Sequence, residues 1–293
     1  MPLTALALVL VAALLHAAWN IVAKKTGGSG HFVLMGAVFI IVLWSPLGVW
    51  LMWREAGQWS LRTWGVLLAS GVAHLVYFNA LLAGYRASDL TVVYPVARGT
   101  GPLVASLGAV VVLGETLGPL GGVGVLAVTV GVFLIAGGPA LFAAAQDPAR
   151  RRRVHAGLAW GVLTGLLIAT YTVIDGYAVK VLLISPILVD YVGNLLRVPF
   201  MLPGALRDRA GFVRDLRLQW KPALLLAAIS PLGYVLVLYA VTMAPLSHVA
   251  PARELSMLFA ALLGGHLLGE GDRTLRLLGA ACMAAGVMAL ALA

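Results

Sequence analysis

Ser88-Asp89-Leu90-Thr91-Val92-Val93-Tyr94-Pro95 and Ala244-Pro245-Leu246-Ser247-His248-Val249-Ala250-Pro251 are the stretches that decide how this chain is built. They match at a spacing of 156 residues. Downstream of them Arg98 recurs as Arg253, and Gly114-Glu115 recurs as Gly269-Glu270, both at a spacing of 155. The offset changes by one residue, which places a one-residue insertion or deletion between the two anchors. Self-similarity at half the chain length means two copies of one structural unit.

Composition says what solvent those units face. Of 293 residues, 61% are hydrophobic and 11% charged, and the mean hydropathy is +0.99. Such a chain cannot present the polar surface of a soluble globule. A spanning helix needs about 20 mostly apolar residues. Runs of that kind lie near 3–23, 31–53, 64–86, 91–113, 118–141, 156–179, 186–206, 220–243, 247–269 and 274–293. The expectation is an all-α membrane protein of ten transmembrane helices, arranged as a first five-helix repeat over 1–144, a basic connecting loop over 145–155 and a second repeat over 156–293. An odd number of spans per copy turns the second copy upside down, so the repeat is inverted.

The formal charge of +9 does not point to nucleic acid, because most basic residues sit between apolar runs, as the positive-inside bias produces. The apolar opening lacks the basic leader of a signal peptide and reads as the first membrane helix. Cys282 has no partner cysteine in the chain, so no intrachain disulfide can form.

Charges inside the runs need a reason, since one at the bilayer centre costs roughly 2.5–3.5 kcal/mol. Arg98, Arg197, Arg253, Asp175, Asp190 and Glu254 qualify. Helical spacing sets His16, Asn20 and Lys24 on one face with Trp19 beside them, His74 with Tyr77, Tyr94 with Arg98, and Tyr171 with Asp175. Asn79 falls off the His74 face. Asp190, Asn194 and Arg197 share another, Asp190 near the start of its helix behind Ser185-Pro186. Arg253 and Glu254, as neighbours in a helix, are expected to point about 100° apart. The fifth run carries no charge and the tenth none after Arg276, and both pair small residues, Gly118 with Gly122 and Ala280 with Ala284. Any self-association, as a homodimer, is expected through them.

The His16-Ala17-Ala18-Trp19-Asn20 opening, the prolines of the fourth and ninth runs and the Leu-Gly-Glu endings resemble the EamA-type transporters of the drug/metabolite transporter superfamily. The resemblance spans the whole chain. It implies ten helices in two repeats, with the fifth and tenth away from the path, and transport of small metabolites.

The expected cavity takes His16, Trp19, Asn20, His74, Tyr77, Tyr94, Arg98, Tyr171, Asp175, Tyr234, Arg253 and Glu254 as substrate-binding residues, with Thr170 as a further hydrogen-bonding group. Each has a structural alternative: interhelical hydrogen bonding for His16, Asn20, His74 and Asn79, an architectural ion pair with Glu254 or Asp175 for the arginines, and interfacial anchoring for Lys24. Glu115 and Glu270 can favour the N-terminus of the next helix. The sequence holds no HExxH, CxxC, Walker or GxSxG pattern, so it calls for no cofactor, metal or catalytic residue.

The function that fits is a secondary active transporter or facilitator of a small polar metabolite in the inner cell membrane. An amino-acid-like, zwitterionic or anionic solute suits a pair of arginine forks facing an acid. The competing readings are an intramembrane enzyme or flippase handling a lipid-linked phosphate and a non-transporting scaffold.

Charge also predicts orientation. With ten spans, Arg54, Arg62 and Lys180 lie on the side of the termini, while Lys24, Lys25, Arg86, Arg150 to Arg153, Arg207, Arg209, Arg214, Arg217, Lys221, Arg273 and Arg276 lie opposite. The positive-inside bias puts the arginine run in the cytoplasm and the termini outside, whereas members of the resembled family usually keep both termini inside. A reporter fused after Ala293 that is active only in the cytoplasm would overturn the charge-based orientation.

Overall fold

The computed structural model describes residues 1–26, 30–135, 148–264 and 273–293, with side chains except at 19–26, 30, 90–91, 148–150, 260–264 and 273. The described segments form α1 (Leu3–Thr26), α2 (Gly30–Glu55), α3 (Leu61–Ala87), α4 (Leu90–Leu113), α5 (Pro119–Ile135), α6 (Pro148–Lys180), α7 (Pro186–Arg207), α8 (Arg209–Met243), α9 (Leu246–Ala252), α10 (Leu255–Gly264) and α11 (Arg273–Leu292). A 3-10 turn, Ala56–Gln58, joins α2 to α3. No strand occurs among the described residues. Among the described residues, six helices are long and apolar enough to cross a membrane, and Leu3–Ala18 and Pro119–Ile135 are shorter apolar helices.

Large apolar side chains cover the outside of the bundle, among them Leu61, Val111 and Val123, as expected where the surrounding solvent is lipid rather than water. Two helices run past the expected apolar limits. Arg151, Arg152 and Arg153 are exposed on an extra turn of α6. The early part of α8 packs Phe212 and Leu216 onto Phe32 and Met35 of α2. Arginine, leucine and lysine are good helix formers, so the helices continue beyond the apolar stretch.

Helix packing repeats between the halves. α1 lies on α8 and α10, as α6 lies on α3 and α4; α2 lies on α8 as α7 lies on α3; α2 meets α7, and α5 meets α11. Exchanging α1–α5 with α6–α11 leaves this pattern unchanged. The connections also gather at two ends. At one, the Met1 amino group donates to Ala291 O at 2.7 Å, Arg62 to the Tyr177 hydroxyl and the Ser185 amide to Glu55 at 3.4 Å. At the other, His31 Nδ1 meets Asp215 at 2.9 Å.

The expected ninth span, 247–269, is not one helix. It breaks after Ala252, and Arg253 and Glu254 form the turn between α9 and α10; residues 265–269 lie outside the described residues. Pro251 cannot donate to the Ser247 carbonyl, and Ser106 Oγ of α4 fills that place at 2.9 Å. In α4 the matching Pro95 leaves the helix unbroken. The difference is the one-residue offset: Arg98 follows its proline by three positions and Arg253 by two.

Glu115 does not serve the next helix, α5. Its carboxylate accepts from the Leu246 and Ser247 amides at 2.7 and 2.9 Å, at the start of α9, and from Lys180 Nζ at 2.7 Å. Lys180 also donates to Ala244 O at 3.0 Å. The reason is reach: the open N–H groups of α9 lie beside the α4–α5 connection and attract an anion. Glu270 lies outside the described residues.

Glycines set the closest approaches. A Cβ on Gly131 of α5 would stand 2.7 Å from Gly279 O of α11, and one on Gly124 would stand 2.9 Å from Gly286 O. Gly118 and Gly122, expected to mediate contact, have open space around them. The glycines of α5 that face α11 are 124 and 131, whereas 122 falls on the free face and 118 lies just ahead of the helix.

Gly131→Ala should destabilise by about 1–3 kcal/mol through overpacking, whereas Gly122→Ala should be neutral or stabilising by about 0.5–1 kcal/mol; equal melting temperatures would contradict the assigned α5–α11 contact. Burial raises the Glu115 carboxyl, but Lys180 and the Ser247 and Leu246 amides outweigh it and hold it below its ordinary value. Its stabilisation is therefore present at neutral pH and lost as pH falls through that depressed value. Glu115→Gln should lower stability by about 2 kcal/mol at neutral pH, with the gap closing in acid. Melting curves that stay parallel across pH would contradict this.

Candidate functional site

Two polar centres lie inside the bundle. The first is acidic. Ser70, His74 and Tyr77 follow one another along a face of α3 at helical spacing, and Tyr171 and Asp175 do so on α6. Asp175 is fully buried. One of its carboxylate oxygens accepts from Ser70 Oγ and the other from the Tyr234 hydroxyl of α8. His74 Nδ1 donates to Ser70 O at 3.0 Å, which leaves Nε2 3.8 Å from Asp175 Oδ2. The His74 ring stacks on Tyr171 at 3.9 Å, and Tyr77 meets Tyr171 edge-on at 5.4 Å.

Beyond it on α7, Asn194 Nδ2 donates to Asp190 at 3.1 Å, and Arg197 Nε donates to Gly193 O at 2.9 Å. Arg197 is close enough to act electrostatically on His74, Asp175 and Asp190.

The second centre is basic and sits at the helix break. Arg98 Nε of α4 lies 2.9 Å from Glu254 Oε2, and Arg98 Nη2 donates to Ser256 Oγ at 3.1 Å. Arg253 Nε lies 3.5 Å from Glu254 Oε1. Arg253 and Glu254 thus converge instead of pointing apart, because the chain is turning between helices where they stand. Tyr94 lies under Arg98, with the guanidinium carbon 5.8 Å from the ring centre. Ala97, next to Arg98 on α4, packs in one cluster with Tyr171, Tyr77 and Tyr234, so the aromatic side of the first centre borders α4.

Most expected site residues are brought together in this way: His74, Tyr77, Tyr171, Asp175 and Tyr234 in one centre, and Tyr94, Arg98, Arg253 and Glu254 in the other. The arginines pair with Glu254 and not with Asp175. His16 Nδ1 donates to Ala12 O of its own helix at 3.1 Å, and a Cβ on Gly233 of α8 would stand 2.9 Å from that ring. The side chains of Trp19, Asn20 and Lys24 lie outside the described residues.

Thr170 joins neither centre. It is exposed and donates to Leu166 O at 2.8 Å; one position from Tyr171 is about 100° around the helix, which turns it out to the lipid side. Asn79 is exposed too and donates to Leu75 O of its own helix at 2.8 Å. Ser70 and Ser256 were missed. Ser70 stands four residues before His74, so the α3 stripe carried its signal, whereas Ser256 follows the break and no periodicity marks it. No group of three His, Cys, Asp or Glu among the described residues is placed to hold a metal ion.

A membrane helix bundle with paired halves and an ionised interior belongs, as a class, among integral membrane transporters. The model of the EamA-like transporter family matches residues 3–137 and again 155–292. The chain belongs to the EamA-like transporter family and is a multi-pass integral membrane protein of drug/metabolite transporter type. No curated protein matches it by sequence. Among solved structures, one titled only "Crystal structure of protein" shares the fold with a TM-score of 0.71, at 17% identity and over 98% of each chain.

Proposed function

We propose that the chain is a secondary transporter of the inner cell membrane that crosses it ten times, as two five-helix repeats of opposite orientation over 1–144 and 156–293 joined by 145–155. It moves a small zwitterionic or anionic metabolite of amino-acid type by alternating access. The exchange symmetry of the helix contacts and the gathering of the connections at two ends support the inverted arrangement. Self-association, where it occurs, uses the free face of α5 with α11.

The observation that carries the substrate class is the division of charge between two polar centres. Arg98 and Arg253 stand in one with a single carboxylate between them, and Asp175 stands in the other, held by Ser70 and Tyr234. A guanidinium fork receives a carboxylate or other oxyanion, and a buried carboxylate receives an ammonium group. A lipophilic cation would find no use for the arginines. Transport by this route changes no covalent bond, so the roles are binding and positioning only.

The test is flux of amino acids and small organic anions into proteoliposomes, with binding followed by thermal shift, in wild type, Arg98→Gln and Asp175→Asn. Both variants should lose at least about tenfold in affinity for a zwitterion, the size of one lost charge-assisted contact. Asp175→Asn should keep its response to acetate. If both variants keep full affinity and flux, the charges are architectural and the proposed site is wrong.

A further inference from the structure

The basic centre is unbalanced. Two guanidiniums face one carboxylate, and all three side chains are withdrawn from solvent: Glu254 is 1% exposed, Arg253 8% and Arg98 15%. Among the described residues, the other acids of the interior are committed elsewhere. Asp175 has both oxygens on hydroxyl groups, and Asp190 lies with Asn194 and Arg197 on α7. The tyrosines around the arginines contribute no charge. Among the described residues one surplus positive charge therefore remains in a low-dielectric setting, where charge interactions are strong.

Glu254 is also an imperfect ligand for the forks it occupies. Its oxygens are near both Nε atoms, yet neither oxygen and neither Nε has an aligned hydrogen-bond partner. A guanidinium binds an oxyanion best through two parallel N–H contacts, a geometry that a carboxylate anchored to the turn beside Arg253 does not reach. Glu254 is one of the two residues between α9 and α10. Its backbone is part of the junction of these helices, and α10 packs on α1.

We propose that the Glu254 carboxylate is a resident counter-anion: it occupies Arg98 and Arg253 while the carrier is empty and is displaced when the oxyanion of a substrate enters. This rests on the reading of the basic centre as an anion site. In the empty carrier Glu254 spares the arginines the penalty of burial without a partner, so the unloaded protein reorients. In the loaded carrier the substrate takes that place with better geometry, and the freed carboxylate turns with the α9–α10 junction. Substrate occupancy is thereby tied to the position of α10. The same residue that weakens anion binding by competition makes net transport achievable.

Glu254→Gln separates these roles, because it removes the competing charge and keeps the shape. The probes are acetate, L-alanine and, as a cation control, methylammonium, read by thermal shift on the purified full chain. L-Alanine flux in proteoliposomes is read both as net efflux and as exchange against L-alanine on the opposite side. The variant should respond to acetate and L-alanine at concentrations at least about tenfold lower than wild type, with no gain for methylammonium. Its net efflux should fall while exchange persists, since only the loaded carrier can reorient.

If wild type binds these anions but Glu254→Gln binds them no better, or loses net efflux and exchange alike, Glu254 is an architectural partner and the inference fails while the anion site stands. If neither protein responds to acetate or L-alanine, the anion site falls and the inference falls with it. Should Glu254→Gln fail to fold, purification in acetate decides: recovery of a folded protein by the added anion supports the counter-anion role, and absence of recovery overturns it.

Discussion

Everything in the interior depends on how three charges are accommodated where α4 meets the junction of α9 and α10. Arg98 and Arg253 share Glu254, and none can be taken into a lipid-solvated bundle without a partner. Partnership alone could be met by a rigid ion pair, as buried pairs often are. Two features argue for more. The charges do not cancel, and they stand at a break in the helix rather than along an intact one. Discontinuous helices at a repeat interface are where secondary transporters hold their cargo.

The repeat explains why the site has two unlike ends. Duplication gives each half a proline and an arginine at matching places, but a one-residue offset separates the copies. In α4 the helix continues through Pro95 to Arg98, while in the second copy it ends at Ala252. Ser106 takes the carbonyl that Pro251 leaves open, so the break is held as part of the architecture. Near-symmetry thus delivers two arginines to one place, and the departure from symmetry delivers Glu254 between them.

Much of this was legible in the residues and some was not. The apolar helices, the repeat and the arginines follow from apolar run length, a fixed offset and the cost of charge in lipid. Asp175 and its tyrosines follow from helical spacing. The break was not legible, because Pro251 inside an apolar run looks the same as Pro95, and only the offset distinguishes them. Ser70 escaped because a serine carries no charge, although it continues the His74 stripe, and Ser256 because it follows the break, where no periodicity marks it. Thr170 was misplaced by a single position, which on a helix is the difference between interior and lipid. The service of Glu115 to α9 joins residues from opposite halves, and no local rule announces such a contact.

The central claim is that the polar interior is a path for solute and not glue between helices. It is tested most directly by thiol accessibility in a Cys282→Ser background, with single cysteines at Ser70, Ser256 and, as a packed control, Ser106. In transport-competent protein, a small membrane-impermeant thiol reagent should label positions 70 and 256, from either side of the membrane as the carrier turns over, and bound substrate should protect them. Position 106 should stay unlabelled. Failure to label 70 and 256 from both sides, in protein that still transports, would contradict the account.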